Sequence, residues 1–298
     1  QIKFAGRSAL SESALKARLT FPETGSAEAH EQEASAHQLE AAYRERGYHF
    51  VTVKTRETRD GDVRVIHFAI DEGPRVIVES VTFPGDHAVS ADELAERIET
   101  KPPGLFRRGL FRLDTLERDV GVLLAYLRSL GYVEAAAGPP QVHFSDDRTR
   151  ARVEIPVRDG PRITTGAITV EGAQVVTRAQ IDAALPFKTG GPWEARQPED
   201  GQRAIERLYA DRGYHGAMVR VQTTRGDSKV DVRYDIVEGE QTRIGRVLVR
   251  GLLLARESMV RRTLPFQPGD VLLPDKLILG QRRLGDIAAF DSVSIDPL

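Results

Sequence analysis

The sequence predicts an α+β protein built as a tandem array of four small β-α-α-β-β modules, the last of them incomplete. Three observations predict this. A short apolar strand ending in Gly recurs four times at near-constant spacing. A helix start follows each Gly by five residues, and a second helix closing on Gly-aromatic leads into two alternating stretches joined by a polar turn. Self-similarity at a fixed period is the mark of a repeat architecture, and it outranks any local signal.

The strand-Gly opening reads Phe4-Ala5-Gly6, Val81-Thr82-Phe83-Pro84-Gly85, Ile168-Thr169-Val170-Glu171-Gly172 and Val247-Leu248-Val249-Arg250-Gly251, with Gly-to-Gly separations of 79, 87 and 79 residues. Five residues on stand Ser11, Ser90, Thr177 and Arg256. The first three are good helix N-caps because their side-chain oxygens can accept from an orphan backbone N–H. Ser90 with Glu93 has the spacing of a capping box. Apolar anchors follow nine residues after each Gly (Leu15, Leu94, Ile181, Val260) and thirteen after (Leu19, Ile98, Leu185, Leu264), an i, i+4 pair on one helix face.

The second helix ends at Arg46-Gly47-Tyr48, Leu130-Gly131-Tyr132 and Arg212-Gly213-Tyr214, with Ala289-Phe290 at that place in the fourth copy. Gly just past a helix end adopts the left-handed cap without steric penalty, and the aromatic can fold back on the core. A hairpin follows. In the third copy it runs Val219, Val221, Thr223, a turn at Arg225-Gly226-Asp227, then Val230, Val232, Tyr234 and Ile236; the first copy turns at Asp60-Gly61 and the second near Asp146-Asp147. Glu72-Gly73, Asp159-Gly160 and Glu238-Gly239 close the complete copies, and the next opening Gly lies 12 residues further on.

The boundaries are therefore 1-73, 74-160, 161-239 and 240-298. Each module is a three-stranded mixed sheet packed on two helices, and the first strand can pair parallel with a hairpin strand through a right-handed crossover. Domains of about 80 residues are individually marginal, so neighbours are expected to stack through their short links into a semi-rigid arm. Pro156 falls inside the expected third strand of the second module and requires a bulge or a shorter strand. The fourth copy continues through Phe290-Asp291-Ser292-Val293-Ser294-Ile295, which matches only a second strand. Its missing third strand, and the mid-strand look of Gln1-Ile2-Lys3-Phe4, suggest a fragment whose targeting segment has been removed.

Composition narrows the function classes. Apolar content of 40% is ordinary for a globular protein, and a net charge of −2 argues against a nucleic-acid partner. No apolar run approaches the roughly 18 residues needed to span a bilayer as a helix. The absence of Cys excludes disulfides, thiolate metal sites and a cysteine nucleophile. His30, His37, His49, His67, His87, His143 and His215 show no metal-ligand spacing, and neither a Gly-x-Ser-x-Gly elbow nor a P-loop occurs. Asp146-Asp147 belongs to a turn, where Asp is favoured for backbone reasons. Trp193 reads as a packing residue. No catalytic, cofactor or metal residue is assigned. The stretch Pro22 to Ala36 reads as a mobile loop or frayed helix start.

With these landmarks in place, the chain resembles the POTRA repeats (polypeptide-transport-associated domains) of the BamA/TamA superfamily of outer-membrane assembly factors. The resemblance rests on the strand-Gly openings (Gly85, Gly172, Gly251), on Tyr48, Tyr132 and Tyr214 after the second helices, and on Glu72-Gly73-Pro74 and Asp159-Gly160-Pro161. It implies a non-catalytic periplasmic array, fused to a carboxy-terminal membrane β-barrel, that receives unfolded outer-membrane proteins or accessory subunits. At least four repeats sit better with a BamA-like array of five than with three-repeat TamA or the two usual in two-partner secretion pores. Exporters of that kind, spacer modules of a membrane-linked lipase and a cell-division scaffold are the alternatives.

An edge strand offers unpaired N–H and C=O groups to an extended peptide with little demand on its sequence. The second strands, roughly 50–56, 133–144 and 217–224, are the candidate edges. Met218, Val219, Arg220 and Val221 are preferred, with Val51 and Val53 next, because Pro139-Pro140 should blunt the middle one. A second candidate is the loop Lys101 to Arg112. Phe106, Arg107, Arg108 and Phe111 could touch anionic headgroups or a partner; the favoured alternative has both Phe plugging the space between the helices while the Arg residues snorkel.

Overall fold

A computed structural model describes residues 1–21, 28–61, 63–252, 255–287 and 290–297. The chain divides into two compact units, 1–128 with 134–160, and 129–133 with 161–298.

The first unit opens with β1 (Ile2–Ala5), α1 (Glu12–Lys16), α2 (Ala29–Arg44), β2 (Thr52–Asp60) and β3 (Val63–Asp71). The sheet order is β1-β3-β2, with β1 parallel and β2 antiparallel to the central β3. Alternation buries Val53, Ile66, Phe68 and Ile70 against Leu15, Leu39 and Tyr43 of the helices. Residues 22–27 lie outside the described residues. The rest of the expected frayed start belongs to α2, where Gln32, Ser35 and Ala36 form a buried i, i+3, i+4 face and Ser35 accepts the Thr20 amide at 3.0 Å. The unit continues with β4 (Ile77–Thr82), α3 (Ala91–Arg97), α4 (Leu113–Ser129), β5 (Ala136–Ala137), β6 (Gln141–Phe144), β7 (Arg150–Glu154) and β8 (Val157–Arg158). Here the hairpin is broken in both strands. Pro139-Pro140 separates β5 from β6 and Pro156 separates β7 from β8, and β5 pairs with β8 as a two-stranded stub. The two proline sites face each other, with Gly138 donating to the Pro156 carbonyl at 2.9 Å, so one break serves both strands.

The second unit holds β9 (Thr164–Glu171), α5 (Arg178–Ala184), α6 (Gln197–Ala210), β10 (Met218–Arg225) and β11 (Lys229–Val237) in the order β10-β11-β9, with the same parallel and antiparallel pairings. Two further helices follow, α7 (Glu257–Thr263) and α8 (Pro274–Gly285). The segments expected as strands of a fourth copy, 247–250 and 291–295, form none. In the other sheets first and second strands bond only to the third, never to each other, so without a third strand these two have no ladder partner. Side chains catch them instead: Arg261 donates to the Val247 carbonyl and Gln281 to that of Val293. Ala289 of the expected Ala-Phe pair lies outside the described residues.

The recurrent opening Gly has a steric cause. A Cβ at Gly6, Gly85 or Gly172 would lie 2.0, 2.1 or 2.0 Å from the carbonyl oxygen of Ile70, Val157 or Ile236 on the third strand, and all three residues have positive φ. At Gly251 a Cβ would meet nothing within 4 Å. Ser11, Ser90 and Thr177 cap their helices as read. The Ser90 capping box does not close, because the Glu93 carboxylate takes the Tyr126 hydroxyl instead. The nine-residue anchors Leu15, Leu94, Ile181 and Val260 are buried. Their thirteen-residue partners sit at or just past the helix end, not within it; Leu19, Ile98 and Leu185 still turn toward the core, while Leu264 is half-buried.

A joint recurs after each second helix. The carbonyls of Gly47, Gly131 and Gly213 accept the amides of Val76, Ile163 and Thr242, each at 2.8 Å. The loop between the next two helices then bridges the same segment through Phe111, Trp193 and Leu272, whose amides donate to the carbonyls of Val76, Ile163 and Thr242. At the first joint Phe111 packs with His49, Phe50 and Phe144 in a cluster of rings 4.8–5.6 Å apart. Burial, followed by the charge of Arg44, lowers the pKa of His49 there, which suits a neutral ring among apolar ones.

Candidate functional site

The register of the hairpins decides which backbone groups the sheets present. Val53 opposes Ile70 and Val219 opposes Ile236. The carbonyls of Ile70 and Ile236 face the opening Gly on the opposite side of the strand, so these are non-hydrogen-bonded pairs of an antiparallel ladder. The amides of Val53 and Val219 therefore point outward, and those of Thr55, Val221 and Thr223 follow by the period of two.

The two edges then diverge. The Val53 amide donates to Glu40 Oε1 of α2 at 3.0 Å, and the Val51 amide donates to the Tyr48 carbonyl at 3.4 Å. Val51 precedes β2, and both Val side chains are buried. The donors of Val51 and Val53 are thus engaged inside the module, whereas the outward Thr55 amide has no side-chain partner among the described residues. Glu40 stands seven residues before Gly47, and its counterpart before Gly213 is Glu206, which accepts from Gln202 at 2.8 Å instead of reaching β10. Along β10 Val219 is buried, Val221 is half-buried, and Met218 and Arg220 are exposed. No side chain among the described residues covers the outward amides of Val219 and Val221. The middle edge is interrupted by Pro139-Pro140, leaving the four-residue β6.

The arginine-rich loop separates its two Phe residues. Phe111 is 1% exposed and cannot meet a partner, whereas Phe106 is 97% exposed and plugs nothing. Phe111 is drawn in by its backbone bridge to Val76; Phe106 sits at a turn closed by paired hydrogen bonds between Gly104 and Arg107 at 2.9 and 3.2 Å. Arg107 and Arg108 are exposed and flank that turn.

The Gly-Tyr motif is structural. Tyr48 and Tyr214 pack on their cores, edge-on to Tyr43 and Tyr209, while Tyr132 is half-buried. Tyr43 and Tyr209, four residues before Gly47 and Gly213, stand beside a carboxylate clasp that the repeat motifs do not mark. Glu238 accepts the amides of Gln174 and Val175 at 2.7 and 2.8 Å and the Tyr209 hydroxyl at 2.7 Å. Glu72 accepts the amides of Ser8 and Ala9 and the Ser8 hydroxyl, while the buried Tyr43 hydroxyl beside it makes no hydrogen bond. Burial alone would raise both carboxyls, but the donated hydrogen bonds outweigh it and hold them below the ordinary value of 4.5. In the second module Leu127 replaces the tyrosine and Asp159 the glutamate. Asp159 Oδ2 takes the Ala88 amide at 2.6 Å, and its buried Oδ1 has no partner. The tyrosine position was discoverable at a fixed offset from the Gly, had Leu127 not broken the pattern.

Among the described residues, no group of three or more His, Asp or Glu side chains could hold a metal ion, and no helix is long and apolar enough to cross a membrane.

These features define a tandem repeat protein of β-α-α-β-β modules whose third copy has an uncovered second-strand edge. The family described as POTRA, surface antigen variable number repeat, matches residues 1–73, 76–160 and 163–239, and the chain belongs to it. The outer membrane protein assembly factor BamA of Nitratidesulfovibrio vulgaris is 26% identical over 266 residues, covering 85% of this chain and 33% of that protein. BamA of Neisseria meningitidis serogroup B is 23% identical, over 87% of this chain and 33% of its own length. The chain thus spans about a third of these curated relatives. The crystal structure of Haemophilus influenzae BamA POTRA3-5 aligns with 75% of this chain and 91% of its own, at 22% identity and a TM-score of 0.40.

Proposed function

We propose that this chain is the periplasmic docking arm of an outer-membrane protein assembly factor and acts by binding, not catalysis. Its third module takes up extended segments of unfolded outer-membrane proteins, or of accessory assembly subunits, by strand addition on β10. In the full-length protein the arm delivers them to a membrane β-barrel.

The observation that carries the mechanism is the contrast among the second strands. On β2 Glu40 takes the first outward donor, the proline-cut second strand keeps four residues, and β10 runs eight residues with the outward donors of both Val219 and Val221 uncovered. Backbone hydrogen bonds supply affinity with little sequence demand, which suits clients that share strands but not sequences. The family and the names of the relatives support the setting.

The test is a titration of the chain with an extended peptide of alternating apolar residues, followed by amide shifts. Shifts should concentrate on 218–224 and spare the Val51 and Val53 amides. Absence of shifts along β10 at millimolar peptide would remove the mechanism.

A further inference from the structure

The loop between the first and second helices performs the same task at all three joints, bridging the incoming segment through Phe111, Trp193 or Leu272. From the preceding apolar anchor, the third and fourth copies reach that bridge in eight residues, Leu185 to Trp193 and Leu264 to Leu272. The second copy takes thirteen, Ile98 to Phe111. The joint does not need the extra five residues, and they emerge as a turn carrying Leu105 and Phe106 at its corners, 91% and 97% exposed.

This turn is stiffly built. Its closing residues Gly104 and Arg107 exchange backbone hydrogen bonds, and Arg107 Nε donates to the Pro102 carbonyl at 3.1 Å. Gly109 at positive φ lets the return strand pass Pro103, where a Cβ would fall 2.5 Å from the Pro103 nitrogen. At the base, Gly109 accepts the Val78 amide at 2.7 Å and buried Phe111 anchors the loop. A mobile loop could fold two large apolar side chains back onto the surface; this one holds them out.

Between 101 and 112 the loop carries four cations and no acid. Glu99 neutralises Arg112. Lys101 donates only to the Glu96 carbonyl, and Arg107 and Arg108 have no ion pair among the described residues. A convex apolar tip set among free cations has the chemistry of an interfacial anchor: the side chains enter the headgroup boundary and the cations meet phosphate. A protein partner would need an apolar pocket rimmed with acid to match a protrusion of this shape, whereas a bilayer surface receives it without one.

We propose that the Leu105–Phe106 tip, with Arg107, Arg108 and Lys101, docks on an anionic phospholipid bilayer. The contact is independent of strand addition on β10. Near an anionic surface each cation is worth about fivefold in binding, and each apolar tip residue about tenfold if half its area leaves water.

The experiment uses the whole 298-residue chain and vesicles of phosphatidylcholine with one-fifth phosphatidylglycerol. In a Phe106→Trp variant, tip emission should shift to shorter wavelength on adding these vesicles and not on adding pure phosphatidylcholine. Co-sedimentation should fall about a hundredfold in Leu105→Ser/Phe106→Ser and about twenty-five-fold in Arg107→Gln/Arg108→Gln. Circular dichroism checks that both stay folded, as expected for fully exposed positions. No sedimentation, equal sedimentation with neutral vesicles, or sedimentation unchanged in the folded Ser variant would each overturn the proposal.

Discussion

Replacing Val221 by Pro tests strand addition at the point where the register makes it most informative. The Val221 amide points away from β11, so proline there removes no ladder bond within the sheet, and an edge strand tolerates it. In an added antiparallel strand, one residue pairs through both its N–H and its C=O. The pyrrolidine ring removes the first bond and pushes the incoming strand off the second. At about 0.5–1.5 kcal/mol per bond, the loss is about 1–3 kcal/mol, or roughly 5- to 150-fold in affinity. Val221 is only half-buried, so the module itself should lose about 1 kcal/mol or less. The assay is fluorescence anisotropy with a labelled alternating peptide, paired with a thermal melt. Gln222→Pro provides the contrast, because its amide points into the sheet and its loss should unfold the module. A Val221→Pro chain that melts near the parent and binds within twofold of it would refute the reasoning.

Other expectations follow from the same geometry. Glu40→Ala frees the Val53 amide, so on adding peptide that amide should shift in the variant and not in the parent. Gly172→Ala forces a Cβ onto the Ile236 carbonyl at positive φ and should cost about 3 kcal/mol or more in urea unfolding, whereas Gly251→Ala bears only the left-handed strain of about 1 kcal/mol. Tyr209→Phe removes a donor to a carboxylate and should destabilise the third module by about 1.5–3 kcal/mol in the same assay. Glu72 and Glu238 are held below 4.5 in the folded state, so they bind fewer protons there than when unfolded near that pH. The stability they contribute is fully present above about 4.5 and is lost as pH falls through their folded values. Urea midpoints should therefore drop between pH 5 and 3, and Glu238→Gln should flatten that slope.

The features legible in the sequence are those enforced by backbone collisions and local capping. The opening Gly cannot vary where a third-strand carbonyl would strike its Cβ, and Ser11, Ser90 and Thr177 need only neighbours three residues away. What escaped depends on partners distant in sequence. Phe106 and Phe111 look alike in the chain and part company only through the bridge of Phe111 to Val76. Glu93 has the spacing of a capping box but is claimed by Tyr126, 33 residues on. The two flanking segments of the fourth copy have strand-like alternation and form no strand, because a strand needs a partner that propensity does not supply. Pro156 was readable as a break but not as one shared with Pro139-Pro140.

The same dependence on distant partners explains how copies of one module can come to differ in role. The strand order first-third-second exposes a second-strand edge in each complete copy, so the fold creates a liability that each copy must either cover or use. Shortening the open stretch takes little change: one glutamate that takes the Val53 amide in the first copy, or two prolines in the second. Neither device disturbs the core, since Glu40 replaces water at a solvent-facing amide and Pro139-Pro140 sits where the ladder is already broken opposite Pro156. In the third copy the equivalent acid, Glu206, is engaged by Gln202 along its own helix and leaves β10 open. If the open edge were incidental, covering it should be harmless. Gln202→Ala, which releases Glu206, gives a mild way to ask: capture of the Val219 amide by Glu206 should weaken peptide binding and leave the melting temperature unchanged or higher. Weaker binding together with a lower melting temperature would point to a damaged module, and unchanged binding would show that Glu206 does not control the edge.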